Sequence, residues 1–323
     1  MMADFYMHAL LAEDICHTST LKLNQGLVKM GAQGPDPYYF NALNIHKIQS
    51  LGLVDDMHDH RINDMLISML EYVKNHYSMD LHSFYIGFLS HYALDTILHP
   101  YIYHYTGDYH KDNIKSITHR GLHVKFERRV DIHFIKLIFN QISYQHPVCN
   151  LTFDLKDVPQ EVTNFMEHIA KKVYQNDFGG ILYAKGYHHM QQTCRRFVQD
   201  RFGIKKSLLS IVDLFNKTQR IHLKDLSYHN VDDHFDYLNI GHETWYHPVT
   251  GEPFNLSVPE LYVRAYYRVQ SLIEHTSNYI LNNQKTDFNT LFGNLSFNSG
   301  VDVNLNLKMT HFNLFNQKKK LPR

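Results

Sequence analysis

Between residues 84 and 98 the chain reads Phe-Tyr-Ile-Gly-Phe-Leu-Ser-His-Tyr-Ala-Leu-Asp-Thr-Ile-Leu, apolar nearly all round. A helix with no polar side belongs in the interior. Yet this run carries His91 and Asp95, and His99 follows, at four-residue intervals. Buried ionisable groups are costly unless paired or bound to metal. On a helix a step of four turns the side chain by only about 40°, so the three share one stripe. At about 1.5 Å per residue the first and third backbone positions lie roughly 12 Å apart, too far to share one ion through bonds near 2 Å. Asp95, between them, is placed to bridge two metals. Pro100 is expected to end the helix at or just before His99, freeing that imidazole to turn toward the site.

A second pair, His123 and Glu127, repeats the four-residue spacing and can hold one ion from one helical turn, as facing helices do in bundle-core metal proteins. The competing reading is a solvated face, since Lys125, Arg128 and Arg129 are neighbours. Three further side chains carry metal-ligand chemistry but have ordinary readings on their own. His8, among Phe5, Leu10 and Leu11, reads alone as a hydrogen-bonded core histidine; Asp36, in Gly34-Pro35-Asp36-Pro37, as a turn residue; His58, before Asp59 and His60, as loop surface. The 25 histidines outnumber the 22 tyrosines and the 20 phenylalanines, which strengthens the case for a metal. Imidazole mixed with carboxylate, without thiolate, suits zinc, manganese or iron, and the share of imidazole favours zinc.

Apolar residues recur at helical spacing through roughly 3–17, 61–76, 81–99, 122–144, 160–175, 205–217 and 258–282, which predicts an all-α fold. The last of these opens with Ser257-Val-Pro-Glu260, a capping box with proline in the first turn. Glycines and prolines break residues 225–256 into a loop region, and the asparagine-rich tail after about 284, ending in Lys318 to Lys320, reads as irregular or weakly stranded. The expected organisation is a helical metal-binding catalytic domain over 1–220, with 221–323 packed on it as a loop-rich segment, long helix and irregular tail in one compact unit. No fixed-period repeat, heptad run or glycine-rich phosphate loop occurs.

Lysine plus arginine (32) equals aspartate plus glutamate (32), so no global field draws nucleic acid or an anionic membrane. Cys16, Cys149 and Cys194 are odd in number and widely spaced, so neither a disulfide framework nor a thiolate zinc site is expected. With Asp4 and His8 where an export signal would be basic and then apolar, and no apolar stretch near the roughly 20 residues that cross a bilayer, the cytoplasm is the expected compartment.

Taken in order, Asp4-Phe-Tyr-Met-His8, Gly31-Ala-Gln-Gly-Pro35-Asp36-Pro37, Met57-His58, Gly87 to Pro100 and His123-x-x-x-Glu127 resemble the zinc-dependent phospholipase C family, specifically its cytoplasmic bacterial relatives. The match covers about the first 135 residues. It implies a helical fold shared with phosphatidylcholine-cleaving enzymes and single-strand nucleases, with up to three zinc ions in a cleft. By that resemblance Asp36, His58, His91 and Asp95 hold one zinc, His99, His123 and Glu127 another, and His8 with Asp95 a third. Secreted members supply a processed N-terminal amine as a ligand, whereas this chain starts at Met1, so two zinc ions are expected and a third needs another donor. The spacing after Asp95 is also tighter than in those enzymes, which leaves the role of His99 open.

The implied chemistry is phosphoester hydrolysis by metal-activated water, phospholipid being one candidate substrate, with Asp36 orienting or deprotonating the water. Tyr38, Tyr39, Tyr101 and Tyr103 either wall the cleft or pack the core. Alternatives are a hydrolase of a soluble phosphoester, nucleotide or single-stranded nucleic acid, the last disfavoured by the balanced charge. A His-Asp phosphohydrolase, suggested by His58-Asp59, lacks the further spaced pair it needs, and a non-catalytic metal-stabilised binding protein remains a third class. The sequence carries no indication of oligomeric state.

Overall fold

Ser78 and Ser257 each open a long helix by accepting a backbone N–H three residues on, from Leu81 at 3.0 Å and from Glu260 at 3.4 Å. Glu260 returns the bond to the Ser257 N–H at 2.8 Å, completing the capping box that the sequence predicts. The computed structural model describes residues 5–41, 47–109, 116–141, 145–215, 222–229 and 234–315; Asp4 and Lys318 to Lys320 lie outside them. Within those residues run α1 (Tyr6–Thr18), α2 (Gln25–Gly31), α3 (Lys47–Asp59), α4 (Ile62–Asn75), α5 (Met79–Thr106) and α6 (His119–Phe139). Then follow α7 (Val148–Thr152), α8 (Gln160–Tyr174), α9 (Gly179–Thr193), α10 (Ile204–Leu214), α11 (Val258–Asn282) and α12 (Phe288–Phe292). The two strands, β1 (Trp245–Tyr246) and β2 (Pro253–Phe254), pair antiparallel with Trp245 opposite Phe254. The fold is all-α.

Helix α5 forms the axis, with α2, α11, α6 and α1 packed around it. From Leu81 to Thr106 nearly every residue is buried, as its one-piece apolar sequence requires. Gly31 and Gly87 let α2 and α5 touch backbone to backbone: a Cβ on Gly31 would lie 2.0 Å from the Phe84 carbonyl oxygen, and one on Gly87 the same distance from that of Val28.

Pro100 does not end α5, contrary to the sequence expectation; the helix continues to Thr106. A proline inside a helix costs about 3 kcal/mol. Beyond it Tyr101, Ile102 and Tyr105 are all buried, and burying side chains of that size contributes about 1.5–3 kcal/mol each, so packing outweighs the local penalty. The cysteine expectation also fails. Cys149 on α7 and Cys194 just after α9 form a disulfide, their Cα atoms 5.8 Å apart, because tertiary packing closes 45 residues of sequence separation. Cys16 is free.

The asparagine-rich tail is ordered where described. Asn294 and Asn63, at the start of α4, exchange hydrogen bonds from backbone N–H to side-chain oxygen at 2.8 and 3.1 Å, and a β-bridge joins Leu295 to Asp302. Residues 293–305 thereby lie against the ends of α3 and α4. Among the described residues no helix is long and apolar enough to cross a membrane.

Candidate metal centre

Helix α5 presents His91, Asp95 and His99 on the stripe that their spacing predicts, and all three are buried. Helix α6 brings His123 and Glu127 alongside, α1 contributes His8, α3 ends with His58, and the one-turn helix Asp36–Phe40 holds Asp36. His8 Nε2 lies 3.2 Å from Asp95 Oδ1, while His91 Nε2 lies 3.0 Å and His99 Nδ1 3.8 Å from Asp95 Oδ2. His58 Nε2 is 3.4 Å from Asp36 Oδ1. On the far side of Asp95, His99 Nε2 and His123 Nε2 approach Glu127 Oε1 at 3.3 and 3.0 Å. Three sets have potential ligand atoms within 4.8 Å of one another: His8, Asp36 and His91; His58, His91 and Asp95; His99, His123 and Glu127. All eight side chains named from the sequence thus fall into two adjoining groups, and none is more than 8% exposed.

Backbone carbonyls orient three of the imidazoles. His58 Nδ1 lies 2.7 Å from the Val54 oxygen, His91 Nδ1 3.0 Å from that of Ala32, and His99 Nδ1 2.8 Å from that of Phe297. A carbonyl accepts only, so each Nδ1 carries a proton, and each ring turns its Nε2 toward a carboxylate. An Nε2 faces a carboxylate at about 3 Å either by donating a proton to it or by sharing a cation with it. His8 Nδ1 and Glu127 Oε2 are buried without a hydrogen-bond partner among the described residues. Each such atom costs about 1–3 kcal/mol when nothing takes it up. Gly34, at φ +51°, keeps the ring of His91 clear, since a Cβ there would meet it at 2.2 Å.

Electrostatics tells the same story. Burial opposes charge on His91, but Asp95 and then Asp36 outweigh it and raise its pKa; burial likewise opposes charge on His99, yet Asp95 and Glu127 raise it to about 9. Burial would raise Asp95, but His91, then His99 and His8, hold it well below the usual carboxylate range. Glu127, also buried, is held down to about 2 chiefly by His123, with His99 adding to the effect. The donor set is nitrogen and carboxylate oxygen with no thiolate, so the residues present fit zinc.

A family model for zinc dependent phospholipase C matches residues 5–175, just over half of the chain. The chain belongs to the zinc-dependent phospholipase C family. No curated protein and no solved structure matches it. The matched span holds every donor named above, and the family's zinc dependence accords with the three buried sets.

What completes the centre of this phospholipase C family member lies outside the matched span. Phe297 is fully buried; its carbonyl orients His99, its N–H donates to the His58 carbonyl at 2.9 Å, and its ring packs 5.3 Å from His58 and 5.7 Å from His91. Asp59 anchors that loop, accepting from Ser296 Oγ at 2.5 Å and from Asn298 Nδ2 at 2.7 Å. Sequence reasoning missed these residues, because a backbone carbonyl has no side-chain signature. Of the four tyrosines considered for the wall, Tyr39 stands 5.6 Å from the His58 ring and Tyr103 4.6 Å from that of His123. Tyr38 and Tyr101 instead donate to the carbonyls of Gly179 and Tyr237 within the core, so these two are packing residues.

Proposed function

We propose that this chain hydrolyses a phosphoester in the manner of a phospholipase C, with phospholipid as the substrate class and two zinc ions as cofactor. The observation that carries the reading is Asp95, whose two oxygens face His8 on one side and His91 and His99 on the other, between two groups of buried donors. Asp36, His58, His91 and Asp95 are the proposed ligands of one zinc, and His99, His123 and Glu127 of the second; His8 with Asp95 is the proposed place of a third. Zinc held by these residues would supply Lewis-acid stabilisation of the phosphoryl oxygens and would lower the pKa of a nucleophilic water. Asp36 is the proposed proton acceptor for that water. Pro35 and Pro37 fix its short helix, so the carboxylate is held in place rather than swinging through solvent. Tyr39 and Tyr103 keep the histidine rings in place and water out.

Residues 1–220 and 221–323 act as one unit in this proposal, since Phe297 orients a ligand carried by α5. The cytoplasm expected from the sequence is opposed by the Cys149–Cys194 disulfide, which favours an oxidising surrounding. Thiol titration of protein taken from cells without reductant separates the two, with one free thiol for an oxidising compartment and three for a reducing one.

The test is hydrolysis of phosphatidylcholine and of a soluble chromogenic phosphodiester by zinc-loaded wild type, Asp36→Asn and Asp95→Asn. The proposal requires turnover of the lipid by wild type and its loss in both variants. A wild type that cleaves only the soluble ester rejects phospholipid as substrate, and one that cleaves neither rejects the hydrolase reading.

A further inference from the structure

Helix α10 is mounted inside out. Ile204, Leu208, Ile211, Val212, Leu214 and Phe215 are between 51 and 81% exposed, and on a helix they form one arc with Ser207 as its only polar member. The opposite side holds the helix to the protein. Asp200 caps its start, accepting from the Lys205 and Lys206 N–H groups at 3.2 and 2.8 Å, and Asp213 near its end accepts from those of Leu223 and Lys224 at 2.8 and 3.0 Å. Phe202, 75% exposed, extends the apolar surface upstream, with the Arg201 guanidinium 5.5 Å from its ring centroid. Arg195, Arg196 and Arg201 are exposed in the segment leading into the helix, and the acid of α10 itself, Asp213, is turned inward.

An amphipathic helix normally buries its apolar arc, and burying a side chain of this size stabilises by about 1.5–3 kcal/mol. Here polar contacts at both ends hold that arc toward solvent, and nothing among the described residues covers it. We propose that α10 is a membrane-docking element that lays its apolar arc into the surface of an anionic phospholipid bilayer. An interfacial helix buries one apolar face about 5–10 Å into the boundary between headgroups and acyl chains, and an apolar arc along one side of a short helix is the shape that does so. The arginines upstream meet phosphate headgroups, and no acidic side chain on the arc opposes them. A second copy of the chain fits less well. An 11-residue helix is only about 16 Å long, so its face falls well short of the roughly 800 Å² per partner of a stable dimer, and pairing would bring like-charged arginines together.

The inference deepens the phospholipase reading by naming a lipid surface as the place where substrate is met. Vesicle binding needs no turnover, so the two ideas fail separately. The full-length protein is co-sedimented with vesicles of phosphatidylcholine alone and of phosphatidylcholine mixed equally with phosphatidylglycerol, alongside Leu208→Ser/Ile211→Ser and Arg201→Gln. These positions are exposed, and unchanged circular dichroism and melting temperature confirm that the variants fold. Expected are wild-type binding that is stronger on the anionic vesicles, a loss of at least about tenfold in the double variant, and a smaller loss in Arg201→Gln confined to the anionic vesicles. Absence of wild-type binding to either vesicle overturns the proposal, as does equal binding by the double variant. Sedimentation velocity without lipid covers the remaining occupant: a wild-type dimer that the double variant abolishes also overturns it.

Discussion

Helix α5 takes ionisable side chains into the core, and α10 turns apolar ones out to solvent. Each departs from the rule that sorts side chains by polarity, and each departure has a partner. In α5 the partner is internal: His91, Asp95 and His99 are met by His8, Asp36, His123 and Glu127 from other elements. Around α10 the described residues supply polar anchors on one side and leave the apolar arc open. Burial of charge that is compensated on the spot points to an ion, whereas exposed apolar surface held in place points to something outside the chain. Helix α5 even contains its own control. His82 is as buried as His91, but with no carboxylate acting on it burial alone pushes its pKa down to about 4, while that of His99 rises to about 9.

The largest effect expected in α5 is that of Asp95→Asn, which keeps the volume and removes the charge between the two donor groups. Zinc content should fall, and kcat/KM should drop by roughly three orders of magnitude or more, the scale on which loss of an essential catalytic group is felt. Near-normal zinc and activity would make Asp95 an ordinary buried ion-pair residue and erase the contrast with His82. Next comes Phe297→Ala, where truncating a fully buried aromatic costs about 3–5 kcal/mol in denaturant unfolding. Because the same residue holds His58 and His99, zinc affinity by chelator competition should fall by about 10–100-fold. A stability loss with unchanged affinity would reduce Phe297 to packing.

His82 sharpens the comparison through pH. Its folded pKa of about 4 lies below the unfolded value of 6.5, so between the two the unfolded state binds the extra proton. Stability contributed by the neutral ring is present above about 6.5 and is lost as pH falls through about 4, amounting to about 3 kcal/mol. In urea titrations across that window His82→Gln should flatten the slope, and an unchanged slope would show that burial of His82 is not its source. The smallest change belongs to α10: Leu208→Ser should alter unfolding free energy by no more than about 0.5 kcal/mol, because the side chain is 59% exposed. A loss of several times that size would mean that the arc is covered within the chain.

The buried cluster of proposed donors was legible because a charged side chain in an apolar helix is a signal carried by the residue itself, repeated at a spacing that geometry can interpret. His91, Asp95 and His99 needed no partner to look unusual; His8 and His58 looked ordinary alone and acquired meaning only through the order of the motifs. Phe297 was hidden because its contribution is partly a backbone group, delivered 198 residues away from His99. Pro100 misled because local backbone cost speaks clearly in sequence, while the burial of Tyr101 and Tyr105 that outweighs it does not. The Cys149–Cys194 pair depended likewise on how α7 and α9 meet. Periodicity located α10 within a few residues but could not show which face points out, since an amphipathic pattern is the same for a buried stripe and an exposed one.

Elemental analysis of gently purified wild type, Asp95→Asn and His123→Gln decides whether the buried charges of α5 and α6 form a zinc centre. Two or more zinc ions per chain in wild type, with fewer in each variant, is the expected result. A folded wild type that holds no metal and takes up none from zinc-containing buffer would contradict it.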